Sequence, residues 1–250
     1  MADGSSTHRY LEAVASLVDA AAGRRVRSGT VVVGPADREG SVAAVGYFLP
    51  THTAVMCAPE RIDRYSALVD DLPDGAVLVA EEFVSQAEAL GGEFAGAGLN
   101  HVFPLGGVPS GDVPPDVSVL ELDAESDDDR AVVRTLLAEC PDDEVDEAEI
   151  DPDALDPRIV VLVDGAGAAV AFASGYSWDY APEFDDVGVL VRPDARGRGL
   201  GRAVVAEYIR RHGGQRSFLY RHDVENAGSA ALCRSVGFEA VHRLVAVTVP

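Results

Sequence analysis

Fourteen consecutive residues, Val189-Leu190-Val191-Arg192-Pro193-Asp194-Ala195-Arg196-Gly197-Arg198-Gly199-Leu200-Gly201-Arg202, set three glycines among four arginines behind an apolar stretch. The apolar stretch reads as a buried strand that Pro193 stops, and the residues after the glycines read as a helix. Leu200, Val204, Val205, Tyr208 and Ile209 fall on one face of that helix, and Arg202, Glu207, Arg210 and Arg211 on the other. The first turn of such a helix leaves backbone N–H groups unpaired, and its dipole makes that end attractive to anions. Glycine lets the backbone approach a phosphate because no Cβ intervenes, and successive N–H groups form a concave nest. Arg196, Arg198 and Arg202 can add charge-assisted bonds. A pyrophosphate suits this loop.

The spacing narrows the choice of pyrophosphate ligand. A dinucleotide fingerprint needs a glycine where Arg202 stands, and a Walker loop needs a lysine, which this chain lacks altogether. Arg196-Gly197-Arg198-Gly199-Leu200-Gly201 does match, at every fixed position, the pattern Gln/Arg-x-x-Gly-x-Gly/Ala. Downstream, Asn226-Ala227-Gly228-Ser229-Ala230-Ala231-Leu232-Cys233-Arg234-Ser235-Val236-Gly237-Phe238 follows Asn-x-x-Ala/Ser-x-x-Leu-Tyr-x-x-x-Gly-Phe with one departure, at Cys233. Asn226 and Gly237 also make sense locally, as helix caps, and Phe238 as a core anchor. The two motifs, in this order and with a helix and a strand between them, resemble the acyl-CoA loop and the following helix of the GNAT superfamily of acetyltransferases. The resemblance covers residues 117–250.

That resemblance implies transfer of an acyl group, most often acetyl from acetyl-CoA, to a primary amine by direct attack in a ternary complex. The cofactor-binding residues it implies are Leu190, Val191, Arg196, Gly197, Arg198, Gly199, Leu200, Gly201, Arg202, Asn226 and Ser229, with pantetheine between two splayed strands and a backbone N–H near Leu190 or Val191 facing the developing oxyanion. An amine of pKa about 10 must lose a proton before it attacks. Asp185, Asp186 and His222 are the candidate bases. Where the family supplies a tyrosine to protonate the departing thiolate, this chain has Cys233, which either donates a proton over a shorter reach or simply packs as a small apolar residue. Tyr220 or a water are the other candidates, and Trp178 and Tyr180 are candidate walls of the acceptor pocket. A module that binds acyl-CoA without turnover is the alternative reading. Peptide N-termini, lysines, polyamines, amino acids and aminoglycosides all stay open as acceptors.

Composition sets outer bounds. Forty-two acidic residues against 20 basic ones, all arginine, give a net charge of -22. Such a surface repels nucleic acid and anionic membranes, so neither is expected as a partner. Adaptation to a salt-rich cytosol explains the excess, since screening shortens to about 3 Å at 1 M salt; selection of a cationic substrate is the competing explanation. Cys57, Cys140 and Cys233 show neither disulfide pairing in number nor zinc-ligand spacing, and no metal is expected. There is no apolar run of membrane-spanning length and no leader pattern, so a cytoplasmic protein is expected.

The elements that must position these groups follow from periodicity. The fold class is α/β with a mixed sheet, a GNAT-like fold preceded by a smaller α/β domain. Residues 1–108 read as that domain, with a helix from about residue 8, strands at 30–33, 42–49 and 53–57, helices at 59–70 and 85–90, and extended pieces at 76–80 and 101–105. They carry no recognisable chemistry, and shaping the acceptor site or a homodimer is the role expected of them. The Gly/Pro-rich residues 109–116 read as a linker. Beyond it come a strand at 117–122, a helix at 130–139 behind the acidic cap Ser126-Asp127-Asp128-Asp129, and an acidic loop or short helix over 141–156. Strands at 159–163, 168–175 and 186–191 lead into the loop. A strand at 217–222, a helix at 226–236 and a closing β segment at 238–249 end the chain.

Overall fold

The structure is a computed structural model that describes residues 6–20, 24–27, 30–33, 44–48, 53–58, 61–70, 79–89, 91–148, 150–151, 153, 155, 158–178 and 181–248. The strands are β1 Arg24–Arg27, β2 Thr30–Val33, β3 Ala44–Phe48, β4 Thr53–Cys57, β5 Glu93–Val102, β6 Val117–Leu122, β7 Ile159–Asp164, β8 Ala169–Trp178, β9 Ala181–Val191, β10 Ser217–Asp223 and β11 Glu239–Thr248. The helices are α1 Ser6–Ala20, α2 Ile62–Asp70, α3 Ala80–Ala89, α4 Asp127–Leu137, α5 Asp142–Glu147, α6 Leu200–His212 and α7 Ala227–Val236. No described helix is long and apolar enough to cross a membrane.

Two compact units result. The first holds Val102–His222 and Asn226–Glu239, the second Thr7–His101 and Ala240–Pro250. The units therefore do not divide at the Gly/Pro segment, which lies inside the first one. There Ser110 N–H donates to Val236 O at 3.0 Å and Arg210 donates to Gly111 O at 2.6 Å, so prolines and glycines without helix or strand are still tied down. The expected closing β segment, β11, pairs antiparallel with β3, as in Val245↔Gly46 and Val247↔Ala44, and so lies with the N-terminal half of the chain.

In the first unit the strand order is β10-β9-β8-β7-β6. β7, Ile159-Val160-Val161-Leu162-Val163, is buried on both faces, as its unbroken apolar run requires. The alternation of side chains sends Val160 and Leu162 to one face, against Val204, Val205 and Tyr208 of α6, and Ile159 and Val161 to the other, against Val133, Leu136 and Leu137 of α4. Ser126 caps α4, its Oγ accepting from Asp129 N–H at 3.3 Å, with Asp127, Asp128 and Asp129 at the positive end of the helix. Between β7 and β8 the turn closes as its residues predict: Asp164 Oδ1 accepts from Ala166 and Ala168 N–H, and Gly167 takes φ +81°.

β9 pairs antiparallel with β8 along its length, from Trp178↔Ala181 to Ala171↔Val191. With β10 it pairs in parallel only at Ser217↔Phe184, Phe218↔Asp185 and Leu219↔Asp186. Past Asp186 the two strands separate, as the resemblance implies, and the gap opens toward the glycine-arginine loop.

The second unit has the order β1-β2-β4-β3-β11-β5, with Val55, Tyr65, Phe83, Val245 and Val247 in its core. α1, β2, β3, β4 and α2 appear near their expected places, and α3 starts earlier than expected, at Ala80. β1 and most of β5 escape periodicity, since Arg24–Arg27 is almost wholly charged and Glu93–Val102 carries two glycines. The strand-like run 76–80 and His52 lie largely outside the described residues, as does Tyr180.

Candidate active site

Helix α6 begins without a side-chain cap. Gly199 stands at its N-cap with φ +79°, and Gly197 two residues earlier takes φ +76°, both in the left-handed region that glycine alone enters freely. Nothing stands within 4 Å of where a Cβ would be on either residue, so the backbone there is open to a ligand. Ala203 N–H makes the first intrahelical bond, to Gly199 O at 3.0 Å, which leaves the amides of Leu200, Gly201 and Arg202 as the orphan donors of the first turn. Gly201 is small for a different reason: a Cβ would lie 3.0 Å from Leu232 Cδ1 of α7.

These residues form one end of a cavity of about 730 Å³ that follows the gap between β9 and β10. Leu190, Val191, Arg196, Gly197, Gly199, Leu200, Gly201 and Arg202 line it, as do Asn226 and Ser229 on the far side. Of the predicted cofactor residues only Arg198 is not on this wall; it pairs with Asp116. Asn226 caps α7, its Oδ1 accepting from Ser229 N–H at 2.8 Å. Arg196 Nε donates to Val191 O at 3.1 Å, which ties the loop to the end of β9.

Backbone direction separates the two predicted oxyanion donors. Arg192 N–H bonds to Val170 O of β8, and residues two apart on an antiparallel strand share a side. The N–H groups of Leu190 and Gly188 therefore turn toward β8, while those of Val189 and Val191 turn into the gap. Leu190 contributes its side chain and not an amide, because strand alternation takes its N–H into the ladder.

The candidate bases part company. Asp186 lies on the cavity wall, 14% exposed, with its Oδ2 3.7 Å from Arg221. His222 is 4% exposed and does not border the cavity. Asp185, one residue before Asp186 and on the opposite face, is fully buried and already saturated: Arg158 Nε and Nη2 reach it at 3.1 Å, Arg216 Nε at 2.7 Å and Tyr208 OH at 2.8 Å. Those bonds leave its carboxylate no lone pair for an amine, so its role is to hold strands together. Burial and the carboxylate push the Tyr208 hydroxyl far above the usual phenol range.

Cys233 points into the core with Tyr220, Phe238 and Val236 and does not border the cavity. Burial pushes its thiol up to about 12. Tyr220 does border the cavity, and its OH lies 2.8 Å from Ser229 Oγ. Burial raises the Tyr220 phenol well above its ordinary value, an effect that the bond to Ser229 opposes. Ser174 and Tyr176 of β8, paired with Gly188 and Asp186, line the cavity beside them.

A six-residue helix that the sequence offers only as a loop or short helix completes the wall. Glu144 and Glu147 of α5 both face the cavity. Among the described residues, no cluster of three or more His, Cys, Asp or Glu side chains is placed to hold a metal ion.

Residues 123–238 match the family model described as acetyltransferase (GNAT) family. That segment, a little under half of the chain, is similar to GNAT acetyltransferase domains. Solved structures agree on the fold. A GCN5-related N-acetyltransferase from Kribbella flavida aligns over 98% of this chain and 95% of its own, with a TM-score of 0.53 at 15% identity. Another GCN5-related N-acetyltransferase, from Sphaerobacter thermophilus, aligns over 89% and 73%, with a TM-score of 0.50 at 16% identity. A tandem GNAT protein from the clavulanic acid biosynthesis pathway aligns over 88% and 75%, with a TM-score of 0.50 at 19% identity. No curated protein matches the sequence significantly.

Proposed function

We propose that the chain transfers an acetyl group from acetyl-CoA to a primary amine, carried by a small molecule or a peptide, within a ternary complex. The observation that carries this reading is the cavity itself: a glycine-arginine loop at one end, a strand gap along its length and the Asp186 carboxylate on its wall beyond the loop. The residues present fit coenzyme A, since open backbone at Gly197 and Gly199, the first-turn amides of α6 and the Arg196 and Arg202 side chains suit a diphosphate. When bound, acetyl-CoA supplies an activated thioester.

The rest of the chemistry belongs to the chain. Asp186, on the cavity wall with Arg221 3.7 Å away, takes the proton of an incoming ammonium directly or through water. The N–H groups of Val189 and Val191 face the gap and can meet negative charge that develops on the carbonyl oxygen, a contribution of about 3 kcal/mol per donor. Tyr220, held by Ser229 and kept protonated by burial, is the donor placed to protonate a departing thiolate, in place of Cys233.

Release of free thiol from acetyl-CoA, followed with a panel of amines in low and molar salt, tests the reading. Amine-dependent turnover that Gly199→Glu abolishes is expected, because the new carboxylate stands in the anion site on a strained backbone. Saturable binding of acetyl-CoA with no turnover for any amine would favour a regulatory binding module, the reading that Cys233 at the tyrosine position keeps open.

A further inference from the structure

Two of the donors read as cofactor ligands, Arg196 and Asn226, already have carboxylate partners in this structure, and both partners come from one short element. Arg196 Nη1 donates to Glu144 Oε1 at 2.9 Å, and Arg196 Nη2 bonds to Glu144 Oε2, a two-pronged pairing. Asn226 Nδ2 donates to Glu147 Oε2 at 2.8 Å and to Oε1 at 2.9 Å. Arg196 opens the glycine loop and Asn226 caps the helix across the cavity, so α5 reaches both sides of the gap at once. All four side chains line the same cavity. Two-pronged guanidinium–carboxylate bonding uses the same fork of N–H donors that binds a phosphate, so one arginine edge cannot serve both.

We infer that α5 is an acidic strap over the cofactor site, and that Glu144 and Glu147 set cofactor affinity by competing for Arg196 and Asn226. This rests on the acetyl-CoA reading above. Entry of the cofactor exchanges a carboxylate for a phosphate oxygen at Arg196 and releases Asn226 from Glu147, so the strap must swing away or turn its carboxylates out. No covalent step is involved. The remaining acidic residues of the strap, Asp142, Asp143 and Asp146, do not border the cavity, and among them Asp142 and Asp143 carry the same charge without the contact.

Calorimetric titration of the full chain with coenzyme A tests this in three proteins: the wild type, Glu144→Gln/Glu147→Gln and Asp142→Asn/Asp143→Asn. The glutamate pair is expected to bind at least tenfold more tightly than wild type in 0.1 M salt. The gap should shrink as salt approaches 1 M, where the Debye length falls to about 3 Å. The aspartate pair, which removes an equal charge from the same helix, should change affinity no more than about twofold. Equal tightening by both pairs would mean that net charge alone acts, and unchanged or weaker binding by the glutamate pair would mean that the carboxylates support the loop; either overturns the strap. Absence of binding in all three proteins would remove the acetyl-CoA reading and the strap with it, a pattern distinct from the other two.

Discussion

Tyr220 and Cys233 are both buried acids in one apolar cluster, and burial raises both, yet only the phenol borders the cavity. A thiol pushed up to about 12 stays protonated and unreactive at neutral pH, and a phenol raised above its ordinary value remains a donor throughout the working range. Tyr220→Phe is expected to lower kcat about 100-fold, the lower end of a lost proton donor, with little change in the KM for acetyl-CoA. Cys233→Ala should leave kcat within about twofold, the expected result for a packed side chain that touches no reacting atom. Steady-state kinetics with both substrates varied separates the two, and the reverse ranking would return the acid to α7. In the folded protein Cys233 should also resist alkylation at pH 8.

At the scale of elements, the gap between β9 and β10 needs an anchor where the strands still touch. Asp185 provides it, one residue from the last paired position, by gathering Arg158, Arg216, Ser177 and Tyr208 around a carboxylate with no solvent exposure. Removal of one member of a buried charged group leaves the others uncompensated, at a typical loss of about 3–5 kcal/mol. Asp185→Asn is therefore expected to lower the midpoint of thermal unfolding by roughly 10 °C at neutral pH, on the scale of 2–4 °C per kcal/mol for chains of this size. Gly175→Ala should act in the same direction, because a Cβ there would stand 2.1 Å from Tyr208 OH and 2.7 Å from Asp185 Cβ. If Asp185→Asn melts like wild type but loses turnover, the anchor is wrongly assigned and the carboxylate works in the chemistry. The glycine-arginine loop is an element of the opposite kind, open at Gly197 and Gly199 where Gly175 is enclosed.

For the whole molecule, the second unit carries a pH dependence of its own. His242 is buried between the rings of Tyr10 and Tyr47, with Asn100 Nδ2 3.4 Å from its Nε2, and burial lowers its imidazole from the ordinary 6.5 to about 4. A depressed imidazole stays neutral in the fold while the unfolded chain takes up a proton below pH 6.5, so stability is present at pH 7 and is lost as pH falls toward 4. Between pH 7 and pH 5 this one group costs about 2 kcal/mol. Urea unfolding at the two pH values should show wild type losing that much more than His242→Gln; equal losses would mean that the histidine is solvated.

Much of the site was legible before any fold was known. The alternation of glycine with arginine, the strand before it and the amphipathic helix after it are local patterns, and each is a consequence of short-range backbone physics acting on consecutive residues. Asn226, Ser229 and the cap at Gly237 were legible for the same reason. The local reading failed where partners come from far along the chain. It could not tell that Asp185 and its neighbour Asp186 face opposite ways into a charged knot and a cavity, nor that Tyr220 meets Ser229 while Cys233 turns inward, because strand alternation has a sense only once the register with β8 and β10 exists. It named the closing segment β11 without a neighbour, and only the fold shows that it joins β3, since an alternating strand carries no mark of which edge it will join. The acidic run at 141–156 was visible as charge, but its bonds to Arg196 and Asn226 span 52 and 79 residues, and contacts of that reach are set by packing and not by local pattern.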